Sequence, residues 1–119
     1  MRDFRDLKVW KKAHRLTLDI YKATSSFPKD ELYGLTSQIK RSYTSISANI
    51  AEGCGRRTNA ELAHFLQVAM GSASELEYHL LLANNLGFLQ DKDHKYLDKI
   101  TTEVKRMLSS FIKKLRADG

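Results

Sequence analysis

The sequence predicts an all-α protein, an antiparallel up-down-up-down four-helix bundle, on three observations. Apolar residues recur at alternating spacings of three and four through four long segments, as on a buried helical stripe. No run alternates apolar and polar residues in the manner of a half-buried strand. The turns between the periodic segments are short, which makes consecutive helices antiparallel neighbours. At 119 residues, 42% hydrophobic and 29% charged, the chain has the size and composition of one globular domain, residues 1–119.

The first helix is expected from about Asp6 to Thr24. Leu7, Trp10, Ala13/His14, Thr17, Ile20/Tyr21 and Thr24 form its core-facing stripe, while Arg5, Lys8, Lys12 and Arg15 share another face. Ser25-Ser26-Phe27-Pro28 ends it, because the residue before a proline is pushed out of the α region. Pro28-Lys29-Asp30-Glu31 suits a first helical turn, with proline early and acids at the positive end. Gly34 weakens that turn, so the second helix is expected to restart near Thr36. It then continues to about Glu52, with Gly53 as its left-handed C′ residue.

This second helix carries Ile39, Ile46 and Ile50 among small side chains: Ser42, Ser45, Ser47, Ala48 and Ala51. Small residues at helical spacing let another helix approach closely. Asn49 and Glu52 lie beside the apolar face and must find partners, since an unpaired buried amide or carboxylate costs several kcal/mol, roughly. Asn49 and Glu52 are therefore expected to fix how helices, and subunits, meet, with Ser45 and Gly53 as packing residues beside them.

Thr58-Asn59-Ala60-Glu61 is a capping box that opens a third helix reaching about Leu86. Leu62, Phe65/Leu66, Ala69, Ala73, Leu76, Leu80 and Ala83 form its seam, broadened by Val68, Ser72, Leu82 and Leu86. Gly71-Ser72-Ala73 reads as a second close-approach site, since a mid-helix glycine costs roughly 1 kcal/mol unless packing uses it. The apolar arc is wider than one seam needs, so it is expected to serve both the core and subunit contact. Asn85-Leu86-Gly87 closes the helix, and Phe88-Leu89 pins the turn. Asp91 is expected to cap a fourth helix to about Arg116, with Leu97, Thr101, Val104, Leu108, Phe111 and Leu115 inside.

The net charge of +6 is unevenly placed. Residues 1–24 hold seven Lys/Arg against three acids and residues 95–119 seven against three, whereas residues 58–94 hold one against five. In the expected topology the first and last helices are neighbours. Their basic faces, Lys8/Lys12/Arg15 and Lys99/Arg106/Lys113, then merge into a surface suited to an anionic partner. The N-terminal residues lack the apolar run of a secretory signal, and no stretch approaches the roughly 20 apolar residues of a membrane span. A lone cysteine, Cys54, allows no internal disulfide and fits a cytoplasmic setting.

Three patterns invite chemistry. Glu61-x-x-His64 and Asp91-x-x-His94 have the spacing of di-iron bundle ligands, with Glu52 and Glu75 as further acids. However, His64 lies about 200° round the helix from Leu62, and both acids have capping positions, so no metal is expected. Gly53-x-Gly55 followed by Arg56 and Arg57 could hold an anion before a helix N-terminus. Alternatively, the arginines cap helix-two carbonyls or pair with Glu52. His14, His64, His79 and His94 show no triad spacing with Cys54 or a serine, so neither an enzyme nor a cofactor is expected.

Taken in order, several blocks resemble a known family. They are L-K-V-W-K-K-A-H (Leu7–His14), F-P-K-D-E-L-Y-G-L (Phe27–Leu35), Q-I-K-R-S (Gln38–Ser42), S-I-S-A-N-I-A-E-G (Ser45–Gly53), F-L-Q-V-A-M-G-S (Phe65–Ser72) and E-L-E (Glu75–Glu77). They resemble bacterial four-helix-bundle proteins encoded in intervening sequences of 23S ribosomal RNA genes, the S23 ribosomal protein type. The accessory variability protein of diversity-generating retroelements is a related bundle. The resemblance implies a barrel-like homopentamer. For the retroelement relatives it implies binding of nucleic acid and of a reverse transcriptase through a basic surface. It brings no catalytic residues, and Tyr43 and Cys54 stand where family members are often apolar or aliphatic, so neither carries a role across. The combined expectation is a non-enzymatic, cytoplasmic homo-oligomer that binds RNA, DNA or a nucleoprotein. Its contacts would be Lys8, Lys12, Arg15, Lys99, Arg106 and Lys113, with Arg56 and Arg57. The alternative is a protein-interaction scaffold whose charge asymmetry serves self-assembly.

Overall fold

All four expected helices form, and local chemistry sets both ends of the third. In the computed structural model, which describes residues 2–118, α1 spans Lys8–Thr24, α2 Leu35–Cys54, α3 Asn59–Asn85 and α4 Asp91–Asp118. Single 3-10 turns, Phe4–Asp6 and Lys29–Glu31, precede α1 and α2. Among the described residues there is no strand. α1 packs on α2 and α4, and α3 packs on α2 and α4, which gives an all-α bundle of 45 × 23 × 20 Å.

The capping box is present in full: the Thr58 hydroxyl accepts from the Glu61 N–H (3.1 Å), and the Glu61 carboxylate accepts from the Thr58 N–H (3.3 Å). At the other end of α3, Gly87 takes φ +81°. The Phe88 N–H reaches the Ala83 carbonyl and the Gly87 N–H the Asn84 carbonyl, a Schellman closure. Phe88 then packs against Phe27, ring centroids 5.9 Å apart, and so ties the α3–α4 turn to the α1–α2 connection.

The core follows the expected seams of α2 and α3: Ile39, Ile46, Ile50, Leu66, Leu76 and Leu80 are fully buried. α1 is rotated relative to the expected stripe. It buries Val9, Ala13, Leu16 and Ile20, leaving His14 and Tyr21 exposed and Leu7, Trp10 and Thr17 half-buried. The two faces differ little in spacing, and the aliphatic one goes inward because imidazole and phenol keep their hydration outside. Likewise α4 buries Ile112, with Phe111 only partly covered.

Three local expectations are corrected. Gly53 is not a left-handed C′ residue: α2 runs on to Cys54, and Gly53 is buried where α3 crosses. A Cβ there would meet Leu62 Cδ1 at 2.8 Å and Phe65 Cβ at 2.9 Å, so the glycine serves close approach. Apart from its own turn of α3, nothing lies within 4 Å of where a Cβ at Gly71 would sit, so no other helix of this chain approaches it. Asp91 is the first residue of α4, not its cap, and accepts from the Asn84 side chain at 2.7 Å.

Candidate nucleic-acid interface

The basic residues of α1 and α4 meet along the seam between those helices. Lys12 lies half-buried in an ion pair with Glu103 of α4. That hydrogen bond, with Lys99 and Arg106 nearby, holds the Glu103 carboxyl below the usual carboxylate range. Lys12 thus bonds Glu103, while Lys99 and Arg106 lower its carboxyl only through their charge. Arg15 pairs with Asp19 one turn on, at 3.5 Å, and Asp19 also accepts from the Tyr96 hydroxyl at 3.0 Å. These contacts bind α1 to α4 and leave Lys12 and Arg15 partly neutralised.

Lys8, Lys99, Arg106 and Lys113 are exposed, and among the described residues none forms an ion pair. Lys8 and Arg106 face a common groove of about 530 Å³ between the start of α1 and the end of α4. Arg2 and Lys114 stand on the same groove, and Leu7, Met107 and Phe111 line it. The sequence reading missed Arg2 and Lys114. Lys114 follows Arg106 at two steps of four, so one helical face already joined them. Arg2 had no such signal: it is placed by a backbone N–H bond to the Cys54 carbonyl (2.9 Å), a contact between chain start and α2 end.

Arg56 and Arg57 lie apart, in the turn between α2 and α3. Arg56 pairs with Glu52 at 2.7 Å and covers the Phe65 ring at 4.8 Å. Glu52 is therefore an exposed partner within its own helix end, not a polar link between helices. The Arg57 N–H is already bonded to Glu61, which removes a donor from any anion cradle at the start of α3.

The polar link between α2 and α3 is made elsewhere. Asn49 donates to the Ser45 carbonyl (2.8 Å) and hydroxyl (3.0 Å), and Ser45 bonds the Ser72 hydroxyl at 2.8 Å. One turn earlier, buried Ser42 lies 2.8 Å from the Glu75 carboxylate and 3.4 Å from His79 Nδ1. Arg41 closes on Glu75 at 2.5 Å. Burial pushes the His79 imidazole pKa down, against the opposing pull of Glu75. The carboxylate bonds the serine and does not orient the histidine, so the order is not that of a nucleophile relay. Burial likewise raises the Cys54 thiol, which disfavours the reactive thiolate.

The acid–histidine pairs also separate. Glu61 is used in the capping box, Asp91 accepts from Asn84, and exposed His64 packs its ring edge-on to Phe65 at 5.4 Å. Among the described residues no three His, Cys, Asp or Glu side chains gather as a metal-binding group.

Comparison with known proteins agrees with this architecture. The family model described as 23S rRNA-intervening sequence protein matches residues 5–110. Comparison with curated proteins finds no match. Among solved structures, the chain is similar to a protein of unknown function from the S23 ribosomal protein family of Bacteroides thetaiotaomicron. The TM-score is 0.78 at 28% identity, with 88% of this chain and 98% of that chain covered.

Proposed function

We propose that this chain, which belongs to the 23S rRNA-intervening sequence protein family, is a non-enzymatic bundle that binds nucleic acid or a nucleoprotein through the α1–α4 face. The observation carrying this reading is that Lys8 and Arg106, distant in sequence, line one groove with no ion pair among the described residues. Lys99 and Lys113 extend the same charge along α4. Unpaired surface cations suit phosphates, which need positive charge more than shape. The bundle acts as a homo-oligomer, with five copies as the resemblance implies, so that weak patches add by avidity. Exposed Val68, Tyr78 and Leu81 on α3 support such an assembly. Among the described residues no helix is long and apolar enough to cross a membrane, and the setting proposed is the cytoplasm.

The test is binding of RNA and DNA across a salt series, with Lys8→Glu and Arg106→Glu as variants. Affinity that falls steeply with salt and is lost on charge reversal supports the reading; no binding even at low salt overturns it. The second reading is a protein-interaction scaffold, favoured by the exposed apolar residues of α3. Solution mass measurements separate it: a ring that binds no nucleic acid is a scaffold, and a stable monomer contradicts both assemblies.

A further inference from the structure

The groove between the chain start and α4 has features that a plain phosphate-binding face does not need. Its cations are Arg2, Lys8, Arg106 and Lys114, and among the described residues Asp118 is the one acid that lines it with them. Its floor is apolar and partly covered, with the half-buried Phe111 ring beside Met107 and Leu7. The Arg2 guanidinium stands 5.5 Å from the centre of that ring. Arg2 is anchored through its backbone bond to Cys54, and among the described residues its side chain has no ion pair, so it can move aside or pair with a new anion. A volume of about 530 Å³ lies within the roughly 300–1,000 Å³ typical of small-ligand clefts. That admits an unstacked base and its sugar but not a duplex.

We propose that this groove receives a base of single-stranded nucleic acid, stacked on Phe111 and flanked by Arg2, with the adjoining phosphates on Lys8, Arg106 and Lys114. The inference rests on the nucleic-acid reading above and narrows it to single strands. Aromatic rings and arginine planes accept any base by stacking, while surrounding cations hold the backbone. A duplex keeps its bases stacked on one another and presents only phosphate to such a groove. Binding is therefore tolerant of sequence and selective for unpaired strands.

The experiment compares the intact protein's affinity for three probes at one low salt concentration. These are a single strand of about ten nucleotides, within the usual site size, an abasic strand of equal phosphate count, and a duplex. The ordinary single strand is expected to bind about tenfold more tightly than the abasic strand, a gap in keeping with one stacked base. Phe111→Leu, which keeps an apolar side chain in the groove, is expected to close most of that gap and to leave duplex affinity unchanged. Equal affinity for ordinary and abasic strands overturns the groove assignment while leaving phosphate binding by the basic face in place. No binding to any probe overturns both. Because the abasic comparison needs no variant, it decides the matter even if Phe111→Leu fails to fold.

Discussion

Gly53 and Leu62 approach so closely that a Cβ at position 53 would lie 2.8 Å from Leu62 Cδ1. The Leu62 carbonyl stands only 3.3 Å from the same point, so the neighbour cannot relieve the contact by a side-chain rotation alone. Gly53→Ala should gain about 1 kcal/mol of helix propensity, but overpacking costs roughly 1–3 kcal/mol. The net expected effect is destabilisation, seen as a lower denaturant midpoint. Gly71 provides the opposite case, since open space surrounds it. Gly71→Ala is expected to stabilise the isolated bundle by up to about 1 kcal/mol. Equal signs for the two substitutions would contradict the packing described.

The Asn49–Ser45–Ser72 chain predicts unequal costs for similar truncations. Ser45 serves both neighbours, accepting from Asn49 and bonding Ser72. Ser45→Ala should therefore cost more than Ser72→Ala, each by about 0.5–1.5 kcal/mol per hydrogen bond lost. The Ser45→Ala/Ser72→Ala pair should be less costly than the sum, because one bond is shared. Strict additivity in chemical denaturation would show that Ser45 and Ser72 do not interact.

Periodicity and capping chemistry are local, and where they decided the structure the sequence was readable. Thr58 and Glu61 lie three residues apart, so their reciprocal cap needed no tertiary knowledge. The α3 seam of Leu62, Leu66, Ala69, Ala73, Leu76, Leu80 and Ala83 was read correctly, whereas Val68 and Leu86, read as broadening it, lie exposed. On α1, Leu16 and His14 belong to overlapping stripes, and only the packed bundle chooses between them. Gly53 looked like a helix end because glycine there satisfies two different demands, positive φ and close approach. The second becomes visible only when Leu62 is in place. Charge pairing was the least readable feature: Lys12 and Glu103 are far apart in sequence, and the pairing that neutralises Lys12 exists only after α1 meets α4.

Acidification should weaken the fold in two steps. The His79 pKa is lowered in the folded state, chiefly by burial, from an ordinary value of 6.5. Below that value the unfolded chain takes up a proton that the folded chain resists, so stability falls as pH drops through 6.5 and levels off below the folded pKa. Glu103, lowered chiefly by its bond from Lys12, stabilises the fold above its ordinary value of 4.5 and loses that contribution as pH falls through the folded pKa. Denaturant midpoints should therefore rise from acid to neutral pH. His79→Gln should flatten the slope just below 6.5 while leaving the lower step. An unchanged slope in that variant would remove His79 from the account.

The ion pair between Lys12 and Glu103 makes the contribution of each cation to phosphate binding depend on its partner. Lys8 and Arg106 have no such pair among the described residues. Each, if it contacts one phosphate, should reduce the slope of log affinity against log salt by about one when neutralised to Gln. Lys12→Gln should change that slope less, because its charge is already matched by Glu103. The informative variant is Glu103→Gln. It removes the carboxylate that pairs with Lys12 and whose charge Lys99 and Arg106 also feel, so affinity for nucleic acid should rise and its salt dependence steepen. A fall in affinity for Glu103→Gln, with the fold intact by circular dichroism, would mean that the pair positions the binding face and does not compete with phosphate for Lys12.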